Sequence, residues 1–293
     1  MISITSDSYL RQLSCGSNAE TMTWAGGIEV TYKADFSQTL ERSPPRDRIL
    51  NVPISLVTMA DALETIKHWI EHGVSRFVCL RDVHGVMLSH RNEELLRIHE
   101  DAGMVTPDGM PLVWILRQRG HAVSRVCGAD LVLNVCDLSL KIGASHFFYG
   151  GKPGVAERMS RELSVRFPGL KIAGHVTPPF RPLTAEEDRA FVQKIRDSGA
   201  KIVWVGLSTP KQEYWMKKHV GAIDGAVLFG VGAAFDFFSG DVRRAPIWMQ
   251  NFGLEWLHRL CSEPKRLWRR YLILAPLFVL RSGLQELRRR TTA

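Results

Sequence analysis

Four short segments of the 293-residue chain gather residue types that can do chemistry. Thr106-Pro107-Asp108-Gly109 sets a carboxylate between a turn-forming proline and a glycine that lets another molecule come close. Asp108 suits a proton acceptor there, and it equally suits the N-cap of a following helix, which needs no chemistry. Gly150-Gly151-Lys152-Pro153-Gly154 offers backbone N–H groups to a phosphate or sugar hydroxyl, or is a plain tight turn. It matches neither G-x-G-x-x-G nor G-x-x-x-x-G-K-[ST], so it carries no dinucleotide or P-loop signature. Gly206–Glu213 (GLSTPKQE) puts Pro210 where a helix begins. Gln212 can both donate and accept to a sugar hydroxyl, while Glu213 either meets a ligand or complements the helix dipole. Gly230–Phe237 (GVGAAFDF) sets Asp236 among apolar neighbours, where a carboxylate needs a partner, either a ligand or a structural hydrogen bond.

The charge balance adds a fifth feature. The chain has 38 Lys/Arg against 30 Asp/Glu, and residues 243–290 hold eleven of the first and three of the second. Elsewhere the signs balance, so the basic character belongs to the C-terminal stretch. Arg259 and Arg266, with Arg269 or Arg270, share one stripe at helical spacing. Arginine forks match pyrophosphate oxygens bidentately. The same stripe also reads as a solvated basic face, or as one held at an anionic membrane by ~1 kcal/mol per cation.

Other chemistries lack their residues. No two aspartates stand i, i+2, and the ten histidines include no H-x-H or H-E-x-x-H, so no metal is expected. There is no G-x-S-x-G nucleophile elbow. The five cysteines form no C-x-x-C pair, which argues against a disulfide framework and suits a reducing cytosol. The first twenty residues contain Asp7, Arg11 and Glu20 and no apolar core of seven, so a secretory signal is not expected. The longest apolar run, Tyr271–Leu280 (YLILAPLFVL), rises ~15 Å as a helix. That is about half the ~30 Å hydrocarbon core of a bilayer. Leu272, Ile273, Leu274, Leu277, Phe278 and Leu280 are nevertheless costly to leave in water, and a helix lying in a membrane interface would dip them.

The elements that must position these residues follow from periodicity. Residues 1–46 are polar and weakly patterned, ending in Ser43-Pro44-Pro45, and read as an irregular extension. Apolar β-rich runs then recur at Phe77–Leu80, Gly103–Val105, His146–Tyr149, Leu170–Ala173, Ile202–Val205 and Ala226–Phe229. Helix-period segments lie between them, among them Met59–Glu71, Ala129–Ile142, Val155–Phe167 and Ala185–Asp197, the last with a capping box from Thr184 to Glu187. The alternation predicts an α/β fold, a Rossmann-like and largely parallel sheet flanked by helices over 47–242. Ligands of such sheets sit outside the strands' carboxyl ends, where all four loops fall. Residues 243–293 read as a basic amphipathic appendage of two or three helices.

Several of these segments recur together in one known family. Val83–Met87, Pro107–Trp114, Arg125–Leu131, Phe148–Gly151, Pro210–Glu213 and Gly230–Phe237 come in the order of the WecG/TagA/CpsF glycosyltransferases, which the chain resembles over roughly 48–280. Arg243–Pro246, Glu255-Trp256 and Glu263–Tyr271 resemble that family's C-terminal appendage. The resemblance implies an inverting, metal-independent transfer from a UDP-sugar of the UDP-ManNAc, UDP-ManNAcA or UDP-glucose type to a polyprenyl-pyrophosphate-linked sugar. The reaction would serve exopolysaccharide, teichoic acid or surface antigen synthesis, with the enzyme peripheral on the inner membrane face and no cofactor. It implies Asp108 as general base, Gln212 in the sugar pocket beside Glu213, and Asp236 at the nucleotide. Arg259, Arg266 and Arg269 would close over the diphosphate, and Arg125, Asp82, His84, Gly150 and Gly151 would line the substrate site. At one point the chain departs from the pattern. Leu80-Arg81-Asp82 stands where the family commonly has Thr-x-Asn, which removes a hydroxyl and exchanges an amide for a carboxylate.

Three other classes make different demands. An oxidoreductase needs a dinucleotide fingerprint, which is absent. A nucleic-acid binder working through the basic tail would be salt-sensitive and sequence-blind, and no nucleic acid is expected. An inactive UDP-binding scaffold is the alternative that the Leu80–Asp82 departure favours. Beyond donor, lipid-linked acceptor and anionic membrane surface, a second copy of the chain is a candidate partner.

Overall fold

Strand β5 (Arg76–Arg81) shows how sequence becomes sheet. Phe77 and Cys79 enter one hydrophobic core, whereas Val78 and Leu80 enter a second on the opposite face. Both faces are buried, so the strand reads as a continuous apolar run and not as an alternation. The computed structural model describes residues 20–23, 29–32 and 43–292. The chain divides into two units, Met1–Arg42 and Ser43–Ala293. In the first, β1 (Glu20–Thr23) pairs antiparallel with β2 (Glu29–Tyr32). Of the irregular extension expected over 1–46, residues 43–45 carry no regular element and Arg46 opens a strand; apart from the β1–β2 hairpin, the remainder lies outside the described residues.

In the second unit the hairpin β3 (Arg46–Ile49) and β4 (Val52–Ser55) leads into α1 (Met59–Glu71) and β5. Next come α2 (Val83–Ser89), α3 (Glu93–Asp101), β6 (Met104–Pro107), α4 (Met110–Gln118), α5 (Gly128–Ile142) and β7 (Ser145–Gly150). Then follow α6 (Val155–Arg166), β8 (Lys171–Val176), α7 (Ala185–Asp197), β9 (Ile202–Gly206), α8 (Lys211–His219), β10 (Val227–Gly230) and α9 (Ala234–Phe238). The local signals act where the sequence has them. Thr184 and Glu187 form the capping box of α7, Thr58 and Asp61 form one on α1, and Gly143 ends α5 at φ 68°.

Six strands form one parallel sheet in the order β6-β5-β10-β9-β7-β8. Helices α2, α3, α4, α7 and α8 supply one core, and α1, α5, α6 and α9 the other. The fold is α/β and Rossmann-like, as the alternation predicts. From β5 the chain moves outward to β6, but it reaches β10 from β9 on the other side. Such a reversal opens a crevice at the strands' carboxyl ends.

Residues 247–292 add α10 (Ile247–Asn251), α11 (Glu255–Ser262), α12 (Pro264–Trp268), a π-helical turn (Arg269–Leu274) and α13 (Ala275–Thr292). The last three are continuous, so the stretch forms three rods, broken at Gly253 (φ 71°) and before Pro264. Phe278 does not serve an external interface: at 1% exposure it joins the first core, with Leu277 packed beside it, because α13 lies against α2. Burying such a ring contributes about 2 kcal/mol. Gln285 Oε1 accepts from Leu50 N–H at 3.0 Å, and Arg119 joins Asp47 (2.9 Å) to Glu286, fastening α13 to the β3–β4 hairpin. Leu272, Ile273 and Leu280 remain exposed. Among the described residues, no helix is long and apolar enough to cross a membrane.

Candidate active site

The carboxyl ends of β5, β6 and β10 and the C-terminal rods enclose a cavity of about 220 Å³. Two loops bring the first acids together. Asp82 follows β5, Asp108 follows β6, and a Cβ on Gly109 would stand 3.2 Å from the Asp82 Cα, so the glycine is what lets these loops touch. Asp82 caps α2, its Oδ1 accepting from Gly85 N–H at 2.9 Å. Its Oδ2 pairs with Arg270 of the π-helical turn. Asp108 does not cap: the N-cap of α4 is Gly109, and the Asp108 carboxylate is left facing the cavity.

Arg125 reaches the same place from the loop before α5. Its Nε donates to the Asp108 carbonyl oxygen at 2.7 Å, and its Nη2 lies 2.8 Å from Glu255 Oε2 and 3.5 Å from Asp108 Oδ1. Burial pushes the Asp108 carboxyl above its ordinary range, Arg125 opposes this, and the negative charge of Glu255 reinforces it. His84 also lines the cavity, and burial beside the Arg81 cation lowers its proton affinity, so the ring is neutral at pH 7. Arg259 lines the wall with its guanidinium over the Phe237 ring, 5.7 Å from the centroid.

Beneath the cavity lies a buried ion pair. Arg81 and Glu213 are both 0% exposed and bonded to each other, and Glu213 Oε1 also accepts from Thr209 Oγ1 (3.2 Å) and Gln212 Nε2 (3.0 Å). Arg81 passes under α2 because residue 85 is glycine, whose Cβ would meet Arg81 Nη1 at 2.8 Å. Despite its burial, Glu213 stays below the usual glutamate range, chiefly through the Arg81 charge. Gln212 Nε2 donates to the Gly230 carbonyl at 2.9 Å, tying α8 to the end of β10 under the cavity wall.

The expected site residues thus divide. Asp82, His84, Asp108, Arg125 and Arg259 meet in the cavity. Gln212 and Glu213 lie buried below it, outside its lining. Gly150 and Gly151 are packing positions, since side chains there would strike Gly206 and Val155. Asp236 sits on α9 within electrostatic reach of Arg266 and Lys152, its carboxyl raised by burial and lowered by those two cations. Arg266 pairs with Glu263 at 2.5 Å and Arg269 leans on Trp268; both are solvent-exposed. Arg270, the other member of the stripe, faces the cavity instead. A straight 3.6-residue repeat would align Arg259, Arg266 and Arg270, but the break at Pro264 and the π-helical turn shift the phase.

Sequence reasoning missed Glu255 as a site residue. Its signal was composition, because it is one of only three acids in the basic stretch 243–290. Cys127 also lines the wall and donates to Asp130 at 2.9 Å; burial pushes its thiol far above the ordinary range, so it is inert. Among the described residues, no group of three His, Cys, Asp or Glu is placed to hold a metal ion.

The arrangement is a cavity lined by the Asp108 carboxylate, by Asp82 paired to Arg270, and by Arg125 and Arg259, a set that can take a proton and meet an anion. A model of the glycosyl transferases of the WecG/TagA/CpsF family matches residues 48–292, including the C-terminal rods to the end of α13. That family transfers sugars from donor to acceptor in the synthesis of surface polysaccharides and teichoic acids. With nearly the whole second unit matched, the chain belongs to the WecG/TagA/CpsF glycosyltransferase family.

Proposed function

We propose that the protein is an inverting glycosyltransferase moving a sugar from a UDP-sugar to a polyprenyl-pyrophosphate-linked acceptor, without a metal or other cofactor. One observation carries this reading: Asp108 faces the cavity with its carboxyl raised by burial, while Arg259 and Arg270 line the same cavity. In a single displacement the acceptor hydroxyl attacks the anomeric carbon as the UDP oxygen leaves, and the configuration inverts. Asp108 takes the hydroxyl proton, typically worth ~10²–10⁴-fold. Arg259 and Arg270 meet the charge that develops on the diphosphate, the task a divalent ion performs elsewhere. In this reading Asp236, within electrostatic reach of Arg266, meets the nucleotide, and the exposed Arg266 and Arg269 close over it when the donor binds. Seating of the rods would keep water from the donor. The exposed Leu272, Ile273 and Leu280, close in sequence to Arg281 and Arg288–Arg290, suit an anionic inner-membrane surface where the lipid-linked acceptor resides.

The test is a donor screen with detergent-solubilised protein and polyprenyl-pyrophosphate-linked sugars, following UDP release with and without EDTA. Release that requires the acceptor and survives EDTA is expected. Loss in EDTA with recovery in Mg²⁺ or Mn²⁺ refutes the metal-free reading. UDP binding with no turnover on any pair would favour the scaffold alternative.

A further inference from the structure

Two carboxylates compete for one guanidinium. The Asp108 carbonyl oxygen fixes Arg125 through Nε at 2.7 Å, so Nη2 has a set position, 2.8 Å from Glu255 Oε2 and 3.5 Å from Asp108 Oδ1. Glu255 has the better of it. Its side chain is 12% exposed, it holds Nη2 at hydrogen-bond distance, and its other oxygen lies 3.8 Å from Arg244 Nε. The Asp108 side chain keeps 30% exposure in the cavity wall and has no direct hydrogen bond to Arg125 through its carboxylate. Glu255 therefore takes the hydrogen bond from Arg125 Nη2, and the cavity-facing Asp108 carboxylate is held to a looser 3.5 Å contact.

We infer that Glu255 is a positioning residue: by holding the Arg125 guanidinium at hydrogen-bond distance it keeps Arg125 from closing on Asp108 beyond a loose 3.5 Å pair, leaving the Asp108 carboxylate free to accept the proton of the transfer reaction. The inference rests on the reading of Asp108 as general base. An arginine that closes on a carboxylate lowers its pKa by roughly 1–3 units and occupies the oxygen that must take the proton. Cations face Asp108 from three elements, Arg81 on β5, Arg125 on its loop and Arg259 on α11, and each pulls its proton affinity down. Glu255 pushes the other way, both by its own charge and by engaging Arg125. Two more groups share the cavity at the start of α2. Asp82 is engaged by Arg270, and His84 is neutral, so neither replaces Glu255. With Glu255 gone, the carboxylate nearest to Arg125 Nη2 is Asp108. Because Glu255 sits on α11 and Asp108 on the sheet, the base reaches this state only with the C-terminal rods seated.

The test reads Asp108 directly and needs no substrate. The full chain is labelled with ¹³C at aspartate carboxyls, the Asp108 signal is assigned by its loss in Asp108→Asn, and it is titrated by NMR in wild type, Glu255→Gln and Glu255→Asp. In Glu255→Gln the Asp108 midpoint should fall by about one pH unit or more. Glu255→Asp keeps the charge on a shorter arm and should give a smaller fall, so it still answers if the glutamine variant does not fold. An unmoved midpoint in folded variants overturns the inference. Turnover by Asp108→Asn separates the two readings. If the midpoint moves but Asp108→Asn turns over normally, the base assignment fails and takes the catalytic role of Glu255 with it. If the midpoint stays while Asp108→Asn is crippled, only the role of Glu255 is lost.

Discussion

Asp82 and Arg270, both in the wall of the cavity, form an ion pair that joins the end of β5 to the π-helical turn. The same aspartate caps α2 through its other oxygen, so one side chain both starts a helix of the sheet domain and tethers the C-terminal rods. Arg270, which the proposed function assigns to the diphosphate, is thereby engaged by a protein carboxylate.

Asp82→Asn should release Arg270 while leaving the helix cap, because asparagine caps as well as aspartate does. The pair is partly exposed, which limits its worth to about 1 kcal/mol or less. UDP affinity measured by calorimetry should therefore rise several-fold. Unchanged or weaker binding would show that Arg270 is not held back from the nucleotide by Asp82.

Arg259→Ala and Arg270→Ala should each weaken UDP binding by about tenfold or more, the scale of a lost charge-assisted hydrogen bond. Arg266→Ala and Arg269→Ala, whose side chains are exposed, should change it less in the protein without acceptor. Equal losses from all four substitutions would mean that the rods close further than the structure shows.

Asp108→Asn should lower turnover by at least ~10²-fold without loss of stability. The folded-state pKa of Asp108 is raised, so folding disfavours its ionised form, and that cost is present above the unfolded pKa of about 4. Removing the charge should leave Tm at pH 7 equal or slightly higher. A marked fall in Tm would mean that the carboxylate is structural.

Glu213→Ala should destabilise the protein by about 3–5 kcal/mol, because Arg81 would remain as an uncompensated charge at 0% exposure. Denaturant unfolding measures this, and a cost below about 1 kcal/mol would show that water reaches Arg81.

The Asp47 carboxyl supplies the pH test of the C-terminal fastening. Partial burial raises its pKa, but the Arg48 N–H, Arg119 and His121 outweigh this and bring it to about 2. A depressed carboxylate stabilises above its unfolded pKa and loses that contribution as pH falls through the folded value. Asp47→Asn should cost roughly 2 kcal/mol at pH 7. The gap to wild type should shrink between about pH 4 and pH 2, and a gap constant with pH would defeat the assignment.

The sequence by itself determined the sheet, its flanking helices and the family. Strands such as Ile202–Val205 and caps such as Thr184 with Glu187 depend on neighbours a few residues away, so their signals are local and readable. The strand-end loop singled out Asp108 without choosing between base and cap, and Arg125 entered only through the resemblance to the family. What remained to the tertiary structure was which charges meet. Arg125 and Glu255 stand 130 residues apart, and no periodicity relates them. Glu213 read as a ligand contact or a dipole complement until the fold buried it against Arg81, 132 residues away. The choice of Arg270 over Arg266 turned on a break at Pro264 and a π-helical turn, which alter the angular phase by a fraction of a turn. Local rules fix elements, but a pairing between distant charges is settled only when packing brings them within a few ångströms and excludes the water that would otherwise screen them.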